Sequence, residues 1–130
     1  MMYALAIIRY RRPVEEVLAH HAAHRAYLQQ LKADGLLVAS GPLEPRYGGA
    51  LLLRVPDEAI EATLDRVRDG DPYTLAGVAQ YELLPWDVKT GRDDLDRARP
   101  GRARTREERH SPSWPSTSIP KRQKRRRSLR

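Results

Sequence analysis

Apolar and polar positions along the chain fall into short blocks, and each change of period marks an element. Residues 3–8 (Tyr-Ala-Leu-Ala-Ile-Ile) are apolar on both parities and stop at Arg9, which predicts a strand covered on both faces. From Pro13 the period becomes helical. Val14, Val17, Leu28 and Leu31 share one stripe, Glu15 and Glu16 sit near the positive end, and Gly35 follows Asp34 as a stop. One helix over 13–34 is expected. Residues 36–39 read as a second strand broken at Ser40-Gly41-Pro42, and residues 50–55 as a third, opened by Gly48-Gly49. Asp57 is placed to cap a second helix in which Ile60, Leu64 and Val67 repeat at helical spacing before Gly70 ends it. Asp71 precedes Pro72 and can cap a short helical turn over 73–77; residues 81–86 form the last strand, with Pro85 tolerable near its end.

The resulting order, β-α-β-β-α-β, with both crossovers right-handed, gives an α+β, ferredoxin-like fold: a four-stranded antiparallel sheet with two helices on one face. The first strand is nonetheless apolar on both parities: Tyr3, Leu5 and Ile7 on one, Ala4, Ala6 and Ile8 on the other. Two helices cover only one face. The other is therefore expected to pack against a second copy in a two-fold homodimer, sheet against sheet.

Charge divides the 130 residues unevenly. Residues 1–91 hold 10 Lys+Arg and 12 Asp+Glu, whereas 92–130 hold 14 and 5, so the net charge of +7 belongs to the second part. That part also carries only 6 of the apolar residues and includes Pro100, Pro112, Pro115 and Pro120. Residues 1–91 are read as one folded domain and 92–130 as a disordered basic tail, with a transient helix around 94–99. A basic arm of this kind binds phosphate backbones weakly and without sequence preference, so nucleic acid is one expected partner and a solvated extension the bland alternative. The closing run 121–127 would read as a nuclear address in a eukaryotic host. There is no cysteine, which removes thiolate nucleophiles and Cys-ligated metals. The charges at Arg9, Arg11 and Arg12 follow the apolar start, the wrong polarity for a secretory signal, and no apolar run approaches the ~18 residues of a membrane span. A cytoplasmic protein is expected.

Candidate chemistry lies on the first helix. His21 and His24 interrupt its apolar stripe, and His20 falls at the stripe's edge. A buried imidazole can satisfy itself on a backbone carbonyl, or it can carry protons near neutrality. His20 and His24 at i,i+4 could chelate a metal, but no third ligand is evident, so no metal is expected. Asp71 can be a helix cap or a partner to an imidazole. Ser40 and Gly41 can line the mouth of a site or simply end a strand. Tyr73 can wall an aromatic ligand or fill the core. No P-loop, serine elbow or dinucleotide fingerprint occurs, and no cofactor is expected.

These pieces also resemble a known family. The run His24-Arg25-Ala26-Tyr27-Leu28-Gln29, then Asp34-Gly35-Leu36-Leu37-Val38-Ala39-Ser40-Gly41-Pro42, Gly49-Ala50-Leu51-Leu52, Asp71-Pro72-Tyr73 and a closing Trp86-Asp87-Val88 is similar to the YciI-like (YCII-related) family in order and spacing. The resemblance spans 1–91 and none of the tail. It implies a dimeric ferredoxin-like α/β-barrel domain with a His–Asp pair as its active site, here His24 and Asp71. The family commonly has Arg three residues before the motif His, where this chain has His21, and the missing guanidinium argues against strong anion recognition. The function expected is a cofactor-free enzyme doing acid/base chemistry, lyase- or hydrolase-like, on a small polar or aromatic metabolite. In that reading His24 carries the proton, Asp71 orients it, and Ser40, Gly41, Tyr73 and His21 line the substrate site. The alternative is a non-catalytic dimeric module that binds a small ligand or a protein in the same cleft.

Overall fold

The structure, a computed structural model, describes residues 1–98. The expectations for the basic arm beyond them, including nucleic-acid contact and the run 121–127, lie outside the described residues. Four strands, β1 (Met2–Tyr10), β2 (Leu37–Pro42), β3 (Gly48–Val55) and β4 (Ala79–Trp86), form one antiparallel sheet in the order β2-β3-β1-β4. This is the ferredoxin-like order, with β1 and β3 central. The helices are α1 (Val14–Leu18), α2 (His21–Ala33), α3 (Ile60–Gly70), α4 (Pro72–Leu75) and α5 (Arg92–Arg97).

The core lies between the sheet and the helices. Ala4, Ala6 and Ile8 of β1, Leu51, Leu53 and Val55 of β3, and Ala79 and Tyr81 of β4 are buried there against Val17, Leu31, Leu64 and Val67. The two alanines leave room for helices to approach the central strand. Strands and helices are tied together at a few glycine positions. Gly35, at φ +82°, ends α2 with its N–H on the Lys32 carbonyl and the Leu36 N–H on the Leu31 carbonyl, the Schellman arrangement. At Gly48 a Cβ would lie 2.0 Å from the Ile8 carbonyl oxygen, so no larger residue fits between β3 and β1 there.

Four expectations need correction. The helix expected over 13–34 is two helices: the His20 N–H bonds to Val17 O rather than continuing the regular ladder, and His20 takes non-helical angles. The break leaves Val14 exposed while Val17 stays in the core, a change that periodicity alone does not report. Ser40-Gly41-Pro42 does not break β2; these residues form its last half and pair with Leu51, Ala50 and Gly49. Pro42 is tolerated because β2 is an edge strand, and a register shift between Leu37 and Ala39 resets the pairing. Asp57 does not cap α3. It sits in a 3-10 turn (Asp57–Ala59) and its carboxylate binds the Met1 ammonium at 2.9 Å, a partner 56 residues away. The segment read as a disordered tail with a transient helix around 94–99 holds a helix at 92–97, α5, which bonds to Tyr3 through Asp96.

That helix matters for the second sheet face. Tyr3 shares a parity with Leu5 and Ile7, yet it is fully buried: its hydroxyl donates to Asp96 at 2.7 Å, and Arg92 lies over its ring. Leu84 and Trp86 on the same face remain about two-fifths exposed. No helix among the described residues is long and apolar enough to cross a membrane.

Candidate active site

The chain direction changes sharply between α3 and α4, and Asp71 occupies the joint. Gly70 closes against the Tyr27 ring, Asp71 turns extended, and Pro72 pre-sets the first turn of α4. The Asp71 carboxylate is wholly buried. Removing a carboxylate from water costs several kcal/mol unless its oxygens find donors, and here both do. Oδ1 accepts the Tyr73 backbone N–H at 2.9 Å and faces His24 Nδ1 at 2.9 Å, while Oδ2 accepts the Tyr81 hydroxyl at 2.5 Å. The capping and imidazole-pairing roles read as alternatives in the sequence are held by one oxygen at once.

The Tyr73 amide and the Tyr81 hydroxyl both donate to Asp71, so its oxygens act as acceptors, and the His24 tautomer that complements them carries its proton on Nδ1. The other ring nitrogen, Nε2, is left with its lone pair and has no protein partner among the described residues. His24 borders a cavity of about 290 Å³ between α2, the β2–β3 hairpin and β1. Its ring is fixed a second time by stacking on Tyr73, with centroids 3.9 Å apart and planes within 7°. The side chain therefore has one orientation, held by a hydrogen bond at one end and by a flat contact along its face.

The structure brings His21, Ser40, Gly41 and Tyr73 to the wall of the same cavity. Asp71 is not on the wall; it stands behind His24. Tyr73 does not offer an open flat face, because His24 covers one side and Tyr10 meets it edge-on at 6.2 Å. What it adds is its hydroxyl, 3.2 Å from His21 Nδ1. Burial, with the neighbouring Tyr10 adding to it, pushes the Tyr73 phenol up to about 12. His21 is pushed below its ordinary value, first by burial and then by Arg46, His24 and Arg25. Burial and the Asp71 charge push Tyr81 upward as well, so it remains a donor. Among the described residues no three His, Asp or Glu side chains are grouped as a metal would need, and Nδ1 of His24 is committed to Asp71.

Sequence reasoning missed four residues. Tyr81 is the second anchor of Asp71; its parity with Ala79 on β4 pointed it toward the helices and was the available signal. Tyr10, Arg25 and Arg46 border the cavity, and nothing in their spacing marks them. Arg46, on the β2–β3 loop, places a guanidinium in the cavity that lacks one at position 21.

A four-stranded antiparallel sheet in the order β2-β3-β1-β4 with helices packed on one face places the chain among small ferredoxin-like α+β domains. Within that class, this chain belongs to the YCII-related domain family, whose profile matches residues 1–87. No curated protein sequence matches it. Among solved structures it is similar to a 5-chloro-2-hydroxyhydroquinone dehydrochlorinase from Burkholderia phenoliruptrix, determined in complex with 2,5-dihydroxybenzoquinone. The similarity has a TM-score of 0.54 at 23% identity and covers 66% of this chain and 95% of that one. At that identity the likeness speaks for the fold.

Proposed function

We propose that the protein is a cofactor-free acid/base enzyme, lyase- or hydrolase-like, acting on a small polar or aromatic metabolite in the cavity beside His24. His24 is the catalytic residue: Nε2 takes a proton from the substrate and returns it to a carbon or a leaving group. Asp71 is the positioning residue, holding Nδ1–H in place and stabilising the imidazolium that forms. The observation that carries this reading is the 2.9 Å contact between His24 Nδ1 and a fully buried Asp71 in an imidazole that borders an open cavity. A buried carboxylate behind the ring and open space in front of Nε2 together support an acid/base role for His24 beyond its part in satisfying Asp71. The hydroxylated quinone in the similar dehydrochlorinase is consistent with a ring-sized guest.

The working unit in this reading is a homodimer. Leu5, Ile7 and Leu52, with Leu84 and Trp86, make an apolar strip on the sheet face away from the helices, and a second copy covering it would remove that strip from water.

Proton transfer can be read without knowing the physiological substrate. In deuterium oxide, the full chain should accelerate exchange of the ring hydrogens of 1,2,4-trihydroxybenzene, followed by NMR. His24→Ala should lower that rate by about 10²–10⁴-fold, the usual worth of a positioned acid/base, with little change in melting. A His24→Ala variant that unfolds while Asp71→Asn keeps full exchange activity would make the imidazole structural.

A further inference from the structure

His21 and Arg46 lie on the cavity wall and take no part in the base described above. Tyrosines hold both. The Tyr73 hydroxyl faces His21 Nδ1 at 3.2 Å, and Arg46 Nε–H donates to the Tyr10 hydroxyl at 3.4 Å, with Tyr10 edge-on to Tyr73. Tyr73 keeps its phenolic proton, since burial raises it to about 12, and can donate it to His21 Nδ1 at 3.2 Å. With Tyr73 as the donor, His21 Nδ1 is the bare nitrogen. The proton of the neutral ring resides on Nε2, the nitrogen that Tyr73 does not engage.

This is the reverse of the His24 arrangement. At His24 the carboxylate takes Nδ1–H and leaves a lone pair at Nε2; at His21 the tyrosine fills the Nδ1 lone pair and leaves an N–H. One cavity thus presents an acceptor imidazole and a donor imidazole, three residues apart on α2. Arg46 adds a positive charge near the donor. Among the described residues it forms no salt bridge, and its hydrogen-bond partner is the neutral Tyr10 hydroxyl. Ile8, Leu28 and Leu51 supply apolar wall between these poles. A volume of about 290 Å³ is at the small end for ligand pockets and suits one ring.

We propose that His21 and Arg46 form an oxyanion pole that receives the ionised oxygen of a monocyclic phenolate or enolate, whose apolar faces rest against Ile8, Leu28 and Leu51. The proposal deepens the acid/base reading of this cavity and rests on it for direction. When His24 Nε2 takes a proton from an sp3 ring carbon alpha to a carbonyl, as in the keto tautomer of a phenol, the C–H bond breaks, an N–H bond forms, the C–H pair becomes a ring C=C bond, and the carbonyl π pair moves onto the oxygen at the pole. A donor N–H and a guanidinium stabilise that charge most as it develops.

The test uses the full chain and a matched pair of probes, 4-nitrophenol and its methyl ether 4-nitroanisole, titrated near neutral pH with absorbance reporting the phenolate. The wild type should bind the phenol at least tenfold more tightly than the ether and enrich the bound phenolate. Arg46→Gln and His21→Phe should each remove most of that preference with melting nearly unchanged. Equal binding of the two probes, or a preference that survives the Arg46→Gln/His21→Phe double variant, would overturn the pole. Because binding is read without turnover, a phenolate preference in a chain that catalyses no exchange would uphold the pole and remove the base.

Discussion

Replacing Tyr81 by Phe tests the support beneath the site rather than the site itself. The Tyr81 hydroxyl is the donor that satisfies Asp71 Oδ2, at 2.5 Å, and Asp71 has no exposed surface through which water could substitute. Hydrogen bonds to charged groups contribute about 1.5–3 kcal/mol, and a buried oxygen stripped of its donor also keeps its desolvation penalty. Tyr81→Phe should therefore cost about 2–3 kcal/mol, with the ring's packing unchanged. For a domain near 100 residues that corresponds to a fall in Tm of ~10–20 °C. A cycle with Asp71→Ala isolates the contact, because without the carboxylate the hydroxyl has nothing to serve. Urea unfolding at pH 7 of the two single variants and the double should give a coupling energy of about 1.5 kcal/mol or more. Additivity within about 0.5 kcal/mol would show that Tyr81 and Asp71 do not depend on each other, and the account of how the carboxylate is held would fail.

Asp71→Asn keeps the shape and can still accept the Tyr73 N–H. It removes the charge that stabilises the imidazolium, so exchange activity should drop by about 10²–10⁴-fold while circular dichroism stays native. His21 titrates lower in the folded chain than unfolded, through burial and then the charges of Arg46, His24 and Arg25, with Tyr73 as its hydrogen-bond partner. Below a pH of about 6.5 the unfolded chain takes this proton first, so stability present at pH 7 should decline as pH falls through that window. The decline should be smaller in His21→Gln, compared by urea midpoints from pH 5 to 8. Leu84→Glu places a charge on the exposed apolar strip of β4 and, in the proposed homodimer, should raise the dissociation constant at least about tenfold, about 1.4 kcal/mol, by sedimentation; an unchanged mass at micromolar concentration would refute sheet-to-sheet pairing. Tyr73→Phe retains the stack on His24 and the backbone cap on Asp71 but loses the donor to His21. Stability should fall by about 1 kcal/mol and the phenolate preference should weaken, whereas an unaffected preference would mean that Tyr73 does not set the His21 tautomer.

The strand order and the two crossovers were legible because each rests on local signals: apolar blocks that end in charge, Gly35 after Asp34, and Gly70 before Asp71-Pro72. His24 and Asp71 were legible for a different reason. A polar group on an apolar stripe and a carboxylate beside a helix-starting proline each stand out, and the resemblance named both. The remaining features depend on partners far along the chain. Asp57 is a good cap in isolation, but the Met1 ammonium competes for it. Ser-Gly-Pro is a turn in isolation, but an edge strand beside β3 can absorb it. Tyr3 has the alternation of an uncovered sheet position until α5 folds over it, and α5 comes from a segment whose composition reads as solvated.

Tyr73 explains why stability and chemistry are hard to separate in this cavity. Its backbone N–H caps α4 on Asp71, its ring fixes His24, and its hydroxyl faces His21. Three constraints on three side chains pass through one residue of a four-residue helix, and Pro72 and Asp71 set that helix in place. A free imidazole samples two tautomers and many rotamers, and each discarded state carries an entropic cost. In this arrangement folding of α4 bears the cost, since the turn cannot form without placing the amide, the ring and the hydroxyl together. The pair of oppositely polarised histidines is then a consequence of one local helix start, and variation at α4 should move the donor and acceptor poles together.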